Sequence, residues 1–159
     1  MNYVRRSEWI FWAIVAFIVA LTTAVIIMAR GYVFPLVDTA DTLFYIGLFL
    51  MISGYAARRW AIWLLGNAFS NVLQIKEGQT LYRSGIYAKV RHPAYTGTLV
   101  MVAGIPILFS SLIGLLPVSL AIPAVLYRIS VEEKMLTEKF GDEYREYVRE
   151  TKMLVPYLL

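Results

Sequence analysis

HPAYTGTLVMVAGIPILFSSLIGLLPVSLAIPAVLY, residues His92–Tyr127, is a run of 36 residues with no formal charge when its histidine is neutral. As one α-helix it would extend about 54 Å at 1.5 Å per residue, far more than a hydrocarbon core of roughly 30 Å requires. Two spans and a tight turn fit instead. Ser110-Ser111-Leu112-Ile113-Gly114 reads as the turn. Spans of about Ala94–Phe109 and Leu115–Tyr127 then form a hairpin that returns to the side on which it began. Pro106, Pro117 and Pro123 fall inside it and predict kinks, which membrane helices tolerate.

Upstream, Trp9–Ala29 gives 21 residues of apolar sequence, longer than the apolar core of a secretory signal and read as a retained span. The second span begins near Thr42. Its charge-free part ends at Ala57, after 16 residues, and Arg58 and Arg59 can extend it by snorkelling. Trp60–Ile75 is uncharged, but Gly66, Asn67, Ser70, Asn71 and Gln74 make its second half polar. If it crossed the bilayer, Arg58 and Arg59 would face the side opposite Lys76, Arg83, Lys89 and Arg91. If it lies in the interface, every Lys and Arg except Arg30 shares one side, 14 of 15. The positive-inside tendency favours the interfacial reading, at the cytoplasmic surface, with a continuation of helix two as the way the segment can begin. Lys76–Arg91 is a charged connector leading into the hairpin. Beyond the hairpin, Val131, Met135, Phe140, Tyr144 and Tyr147 recur at spacings near three to five, with charges between them. That pattern predicts an amphipathic helix at the membrane surface, with Gly141 as a point of interruption.

The chain is 59% hydrophobic and 16% charged, against about a quarter charged in an ordinary soluble domain. The expectation is an all-α polytopic integral membrane protein, residues 1–159 forming one membrane-embedded domain. It has four transmembrane helices, an interfacial segment and connector over 60–91, the helical hairpin over 92–130 and the amphipathic helix over 131–150. Both termini and the functional rim are expected to be cytoplasmic. With no cysteine, disulfides, thiol nucleophiles and thiolate metal sites are excluded. One histidine and no dense carboxylate cluster argue against a metal site. Membrane lipid is the expected surrounding; neither nucleic acid nor an obligate protein partner is expected.

The residues able to carry chemistry collect at one rim. Gly85-Ile86-Tyr87-Ala88-Lys89-Val90-Arg91-His92-Pro93-Ala94-Tyr95-Thr96-Gly97 holds the only histidine. Within five residues it offers cationic, titratable and phenolic groups. Pro93 suits the first turn of a helix, and backbone N–H groups at such a start can hold an anion. At the far end of the hairpin, Arg128 and Glu132 are four apart and share a helix face, with Glu133 beside them. Plain structural readings stand next to these. Arg128 can be a snorkelling residue paired to a glutamate, His92 a hydrogen-bonding group, and Tyr87 and Tyr95 members of an aromatic belt.

Gly85-Ile-Tyr-x-x-Val-Arg-His-Pro-x-Tyr-x-Gly97, a hairpin, and then Glu132-Glu-x-x-Leu-x-x-x-Phe-Gly-x-x-Tyr-x-x-Tyr147 together resemble the isoprenylcysteine carboxyl methyltransferases. Leu65-Gly-Asn-x-Phe-Ser70 adds to the likeness, which covers about Leu65–Pro156. The related phospholipid methyltransferases share part of the pattern. The resemblance implies S-adenosylmethionine as methyl donor and a lipophilic acceptor entering from the bilayer. Donor contacts would come from Gln74, Gln79, Thr80, Leu81, Tyr82, Tyr87, His92, Pro93, Ala94, Tyr95 and Glu132. Arg128 would hold the acceptor carboxylate. Gln79 stands where some members have histidine. The expected activity is esterification of a prenylated cysteine or a similar lipid-tailed acid. Methylation of a phospholipid head-group amine, a non-enzymatic membrane subunit and a membrane reductase of similar hairpin plan remain as alternatives. A carboxylate is already ionised near neutral pH and needs no general base. An amine would need one, and only His92 or a carboxylate stands ready.

Overall fold

The computed structural model describes residues 2–29, 40–66 and 80–156. Helix α1 is Asn2–Ala29 and α2 is Ala40–Leu65. A 3₁₀ turn at Gly85–Ala88 leads into α3, Pro93–Leu108. A second 3₁₀ turn, Leu112–Gly114, precedes α4, Leu115–Ser119, α5, Ala121–Phe140, and α6, Asp142–Glu150. No strand occurs among the described residues; a single parallel bridge joins Val90 and Lys152. The described residues are mostly helical, as the hydropathy pattern predicts.

Helices α1 and α2 carry large apolar side chains on their outer surfaces. Phe17, Val19, Ile27 and Met28 of α1 and Phe49, Ile52 and Trp63 of α2 are exposed. An outward apolar surface of this extent has lipid as its natural solvent. Two hydroxyls of α1 are turned inward on the helix itself: Thr22 donates to the Ile18 carbonyl at 2.7 Å and Thr23 to that of Val19 at 2.8 Å. Trp9–Met28 and the stretch Leu112–Phe140 are long and apolar enough to cross a membrane, whereas Pro93–Leu108 is a shorter apolar helix. Helix α2 does not end at the paired arginines. It runs on through Trp60 to Leu65, so the first residues of the segment read as interfacial continue that helix.

Four glycines decide how α2 meets α3. Gly47 and Gly54 on one helix face Gly104 and Gly97 on the other, in antiparallel order. A Cβ on Gly97 would lie 2.7 Å from the Gly54 carbonyl oxygen, and one on Gly104 would lie 2.7 Å from that of Gly47. No side chain fits in that space, so the two backbones touch. Small residues at a membrane-helix interface permit such an approach. The seven-residue spacing in both helices repeats the contact two turns along. At the end of this seam, Arg58 donates to the Thr98 hydroxyl at 2.8 Å.

The hairpin turns where expected, with Ser110 at a positive φ of 54°. Its return limb breaks once, between α4 and α5. Pro123 has no N–H to offer the Ser119 carbonyl four residues earlier, and α4 ends at Ser119. Helix α5 then runs past the expected end of the fourth span to Phe140. The amphipathic stretch 131–150 is thus shared between the end of α5 and α6, which meet at Gly141, φ 57°. Helix α1 packs along the return limb. Val125, Ile129 and Leu154 form a buried cluster, with Tyr95, Leu99 and Met153 packed against it. The core therefore lies between the two hairpin limbs and the C-terminal segment folded back across them.

Candidate active site

The start of α3 is held from two sides. Pro93 occupies its first turn, after His92 at the N-cap. The residues just before it pair with the C-terminal segment. Lys152 N donates to the Lys89 carbonyl at 3.0 Å, Arg91 N to Lys152 at 2.8 Å and His92 N to Met153 at 3.0 Å. Thr96 adds a side-chain bond to the Leu154 carbonyl at 2.6 Å. Residues 151–154 thus work as a strap over the histidine, a role for which their sequence, Thr-Lys-Met-Leu, carries no signal.

Across the hairpin, Tyr95 joins the two limbs. Its hydroxyl donates to Glu132 Oε2 at 2.9 Å and accepts from Arg128 Nε at 3.0 Å. The i,i+4 spacing on α5 brings both charged groups to one phenol. Arg128 is only 6% exposed, so its side chain lies inside the protein rather than extending to the rim. The ring of Phe11, from α1, lies 4.5 Å from its Cζ. A buried charge is stable only when paired and hydrogen-bonded, and the Tyr95 hydroxyl and the Phe11 ring supply two of its contacts.

A second cluster lies one residue further on. Glu133 Oε1 accepts from Arg91 Nε at 2.8 Å and meets His92 Nε2 at 3.2 Å. An ionised carboxylate only accepts, so Nε2 carries the hydrogen of this contact and the ring orientation follows from it. Arg91 also donates to the carbonyls of Thr151, at 2.6 Å, and Val148, at 3.2 Å. Arg91 therefore ties together the histidine's carboxylate partner, the end of α6 and the strap.

The connector closes onto the same region. The Tyr87 hydroxyl donates to the Ala61 carbonyl of α2 at 3.2 Å, and that of Tyr147 donates to the Tyr87 carbonyl at 2.7 Å. Burial pushes the Tyr147 phenol up to about 12 and raises those of Tyr87 and Tyr144 further. All three remain protonated near neutral pH, and Tyr87 and Tyr147 act as donors. Tyr82 packs against Tyr87 edge to face at 5.6 Å. Arg83 pairs with Glu143 and Glu146 on α6 and lies over the Tyr147 ring.

Of the residues singled out in sequence, Tyr95, Arg128 and Glu132 make direct contact, and His92 sits beside them with Glu133 as partner. His92 and Pro93 are buried and Ala94 half-buried; Tyr87 is buried, Leu81 and Tyr82 are half-buried, and Thr80 is exposed. Gln74 and Gln79 lie outside the described residues. Phe11 and Thr151, and the anchoring role of Arg91, were not foreseen. Arg91 was within sight, next to the histidine in the same block; Phe11 had no local signal, being one aromatic in an apolar helix.

Three comparisons bear on this geometry. Residues 45–138 match the model of the isoprenylcysteine carboxyl methyltransferase family. A probable protein-S-isoprenylcysteine O-methyltransferase of Oryza sativa subsp. indica is 29% identical over 82% of this chain and 70% of its own length. The Saccharomyces cerevisiae protein-S-isoprenylcysteine O-methyltransferase is 34% identical over 71% of this chain and 48% of its own. A solved structure, that of a eukaryotic intramembrane Ras methyltransferase, superposes with a TM-score of 0.75 at 25% identity, over 90% of this chain and 52% of that one. The chain thus spans about half the length of the yeast protein and of the solved structure. The matched residues cover more than half of this chain and include both halves of the joined site, Arg91–Tyr95 and Arg128–Glu133; the chain belongs to the isoprenylcysteine carboxyl methyltransferase family.

Proposed function

We propose that this protein transfers a methyl group from S-adenosylmethionine to the carboxylate of a prenylated cysteine, or of a comparable lipid-tailed acid, at the membrane surface. The observation that carries the reading is the Arg128–Tyr95–Glu132 chain, which joins the two ends of the hairpin inside the family-matched residues. The donor's amino-acid end bears an ammonium and a carboxylate. Glu132 suits the ammonium, His92 and the first turn of α3 suit the carboxylate, and the paired rings of Tyr82 and Tyr87 offer an aromatic surface for the adenine. The described residues therefore fit the donor. Gln74, Gln79, Thr80 and Leu81 complete the proposed contacts.

When bound, the donor supplies an electrophilic methyl on a sulfonium. Arg128 holds the acceptor carboxylate in line through its planar fork. No residue has to remove a proton, because the attacking oxygen is already anionic. The protein's contribution is positioning and charge placement in a site shielded from water. In the proposed topology four helices span the bilayer and both termini face the cytoplasm, with Arg128 and His92 buried beneath the cytoplasmic face. The acceptor enters from the bilayer.

The test is turnover by the purified chain in lipid nanodiscs, with methyl-labelled S-adenosylmethionine and N-acetyl-S-farnesylcysteine. A base-labile methyl label on the product is the expected result. No transfer to this acceptor, with a base-stable label appearing on phospholipid amines, would overturn it in favour of N-methylation.

A further inference from the structure

One oxygen of Glu133 serves two neighbours: Arg91 Nε lies 2.8 Å from Oε1 and His92 Nε2 lies 3.2 Å from it. A guanidinium nitrogen only donates, so Oε1 is an acceptor and Nε2 must bring its own hydrogen. A neutral imidazole has one N–H, and this contact uses it. Nδ1 is then a bare lone pair. Among the described residues no hydrogen bond reaches it, and the N-cap side chain makes none to its own helix. A carboxylate held by His92 needs a hydrogen on that same nitrogen, because two acceptors repel. Only an imidazolium carries both hydrogens.

The charges around the ring suit that state. Helix α5 brings Glu133, with Glu132 beside it in sequence. Arg91 pairs with Glu133 at the shared oxygen. From α3, the Tyr95 ring stands 5.8 Å away, and its hydroxyl links to Arg128 and Glu132. From α2, Arg58 reaches Thr98 of α3 at 2.8 Å. From α6, Tyr144 is buried, and the charges of Glu133 and Arg91 act on its phenol. The strap offers the Met153 carbonyl to the His92 N–H, while its Lys152 is exposed. Arg91 and Glu133 offset one another, so the free ring faces a neutral pair. A carboxylate brought to Nδ1 adds a negative charge, which favours the charged form of the ring.

We propose that His92 holds the donor carboxylate as an imidazolium, through Nδ1–H, while Glu133 holds Nε2–H and acts as a positioning residue of the donor site. The inference rests on the reading of this site as one for S-adenosylmethionine. The second hydrogen comes from solvent when the ring is neutral beforehand. Donor capture therefore weakens as pH rises past the ordinary histidine range, about 6.5.

The chain has one histidine, so ¹⁵N-histidine labelling of the untagged protein in nanodiscs reports the two ring nitrogens of His92 and no others. At about pH 8 with saturating S-adenosylmethionine, both are expected to show the shift of a protonated nitrogen. A bare Nδ1 in that complex overturns the inference. Donor affinity by calorimetry tests the part played by Glu133. Glu133→Gln keeps an oxygen for Arg91 and His92 and removes the charge. It is expected to weaken donor binding roughly ten- to a hundredfold at about pH 8, and less than about threefold at about pH 6, where solvent protonates the ring unaided. An equal loss at both pH values would make Glu133 a packing residue and overturn its assignment. The nitrogen measurement needs only the parental protein, so it decides the matter even where Glu133→Gln does not fold. Tight donor binding and a base-labile product, together with a bare Nδ1, would overturn this inference alone. No donor binding by the parental chain would remove the proposed function, and this inference with it.

Discussion

Tyr95 has one hydrogen to give and two charged neighbours, and it serves both: the hydrogen goes to Glu132 while a lone pair takes that of Arg128. Replacing it by phenylalanine leaves both charged groups short of a partner in a largely buried place. Tyr95→Phe should therefore cost about 1–3 kcal/mol of stability, visible as a lower thermal midpoint, and should weaken donor binding through Glu132. An unchanged midpoint together with parental donor affinity would detach the phenol from the site. Arg128 separates two roles by its chemistry. A membrane anchor needs only a long stem and a positive charge, whereas a clamp needs the planar fork. Arg128→Lys should bind donor normally and methylate poorly. The loss of a bond to a charged group is worth about 1.5–3 kcal/mol, roughly ten- to a hundredfold in rate. Turnover measured at limiting acceptor concentration checks it, and near-parental rates would return Arg128 to the anchor class.

At the scale of elements, the α2–α3 seam is the contact with least tolerance. Its glycines leave no room for a Cβ between the backbones, so a larger residue must push the helices apart. Gly54→Leu is expected to destabilise the protein by about 1–3 kcal/mol through overpacking, and to loosen the Arg58–Thr98 bond at the end of the seam. Thermal unfolding in detergent, compared with Gly66→Ala, measures the effect; a Cβ on Gly66 meets nothing within 4 Å, although its positive φ adds some strain of its own. Equal midpoints for the two variants would mean that the seam yields more readily than its geometry implies. The strap of residues 151–154 belongs to the same scale. Backbone bonds place it over His92, and Arg91 and Thr96 secure it with side-chain bonds to its carbonyls. The histidine is therefore oriented by an element about 60 residues away in sequence.

For the whole molecule, the distribution of charge predicts sidedness. With 14 of 15 basic residues on one face in the four-span arrangement, cysteines introduced at Arg59 and at Lys76 should both be labelled from the cytoplasmic side of sealed vesicles. The natural chain has no cysteine, so each introduced thiol reports alone. Labelling of the two from opposite sides would mean that the intervening segment crosses the bilayer. The packing of α1 against the return limb, with Phe11 over Arg128, ties α1 to the charged groups that the hairpin joins.

The amino-acid sequence by itself determined the helical class, the hairpin and its turn, the break at Gly141, and the two blocks whose residues meet. Those features follow from local quantities: the length of an uncharged run, the period of apolar residues, and the conformations open to Pro and Gly. The i,i+4 spacing of Arg128 and Glu132 was legible for the same reason. What the tertiary structure decided was the partner of each group. Tyr95 takes both Arg128 and Glu132, while His92 takes Glu133, the adjacent carboxylate. The choice between neighbouring glutamates turns on how α3 and α5 are rotated against each other, and that rotation is set by the packing of Val125, Ile129 and Leu154 against Tyr95 and Leu99. The paired glycine spacing in α2 and α3 was present in the sequence but acquires meaning only when the two helices are known to face each other. The strap and Phe11 had no local signal at all, because a backbone carbonyl and a phenylalanine ring become specific partners only when the fold brings a buried charge beside them.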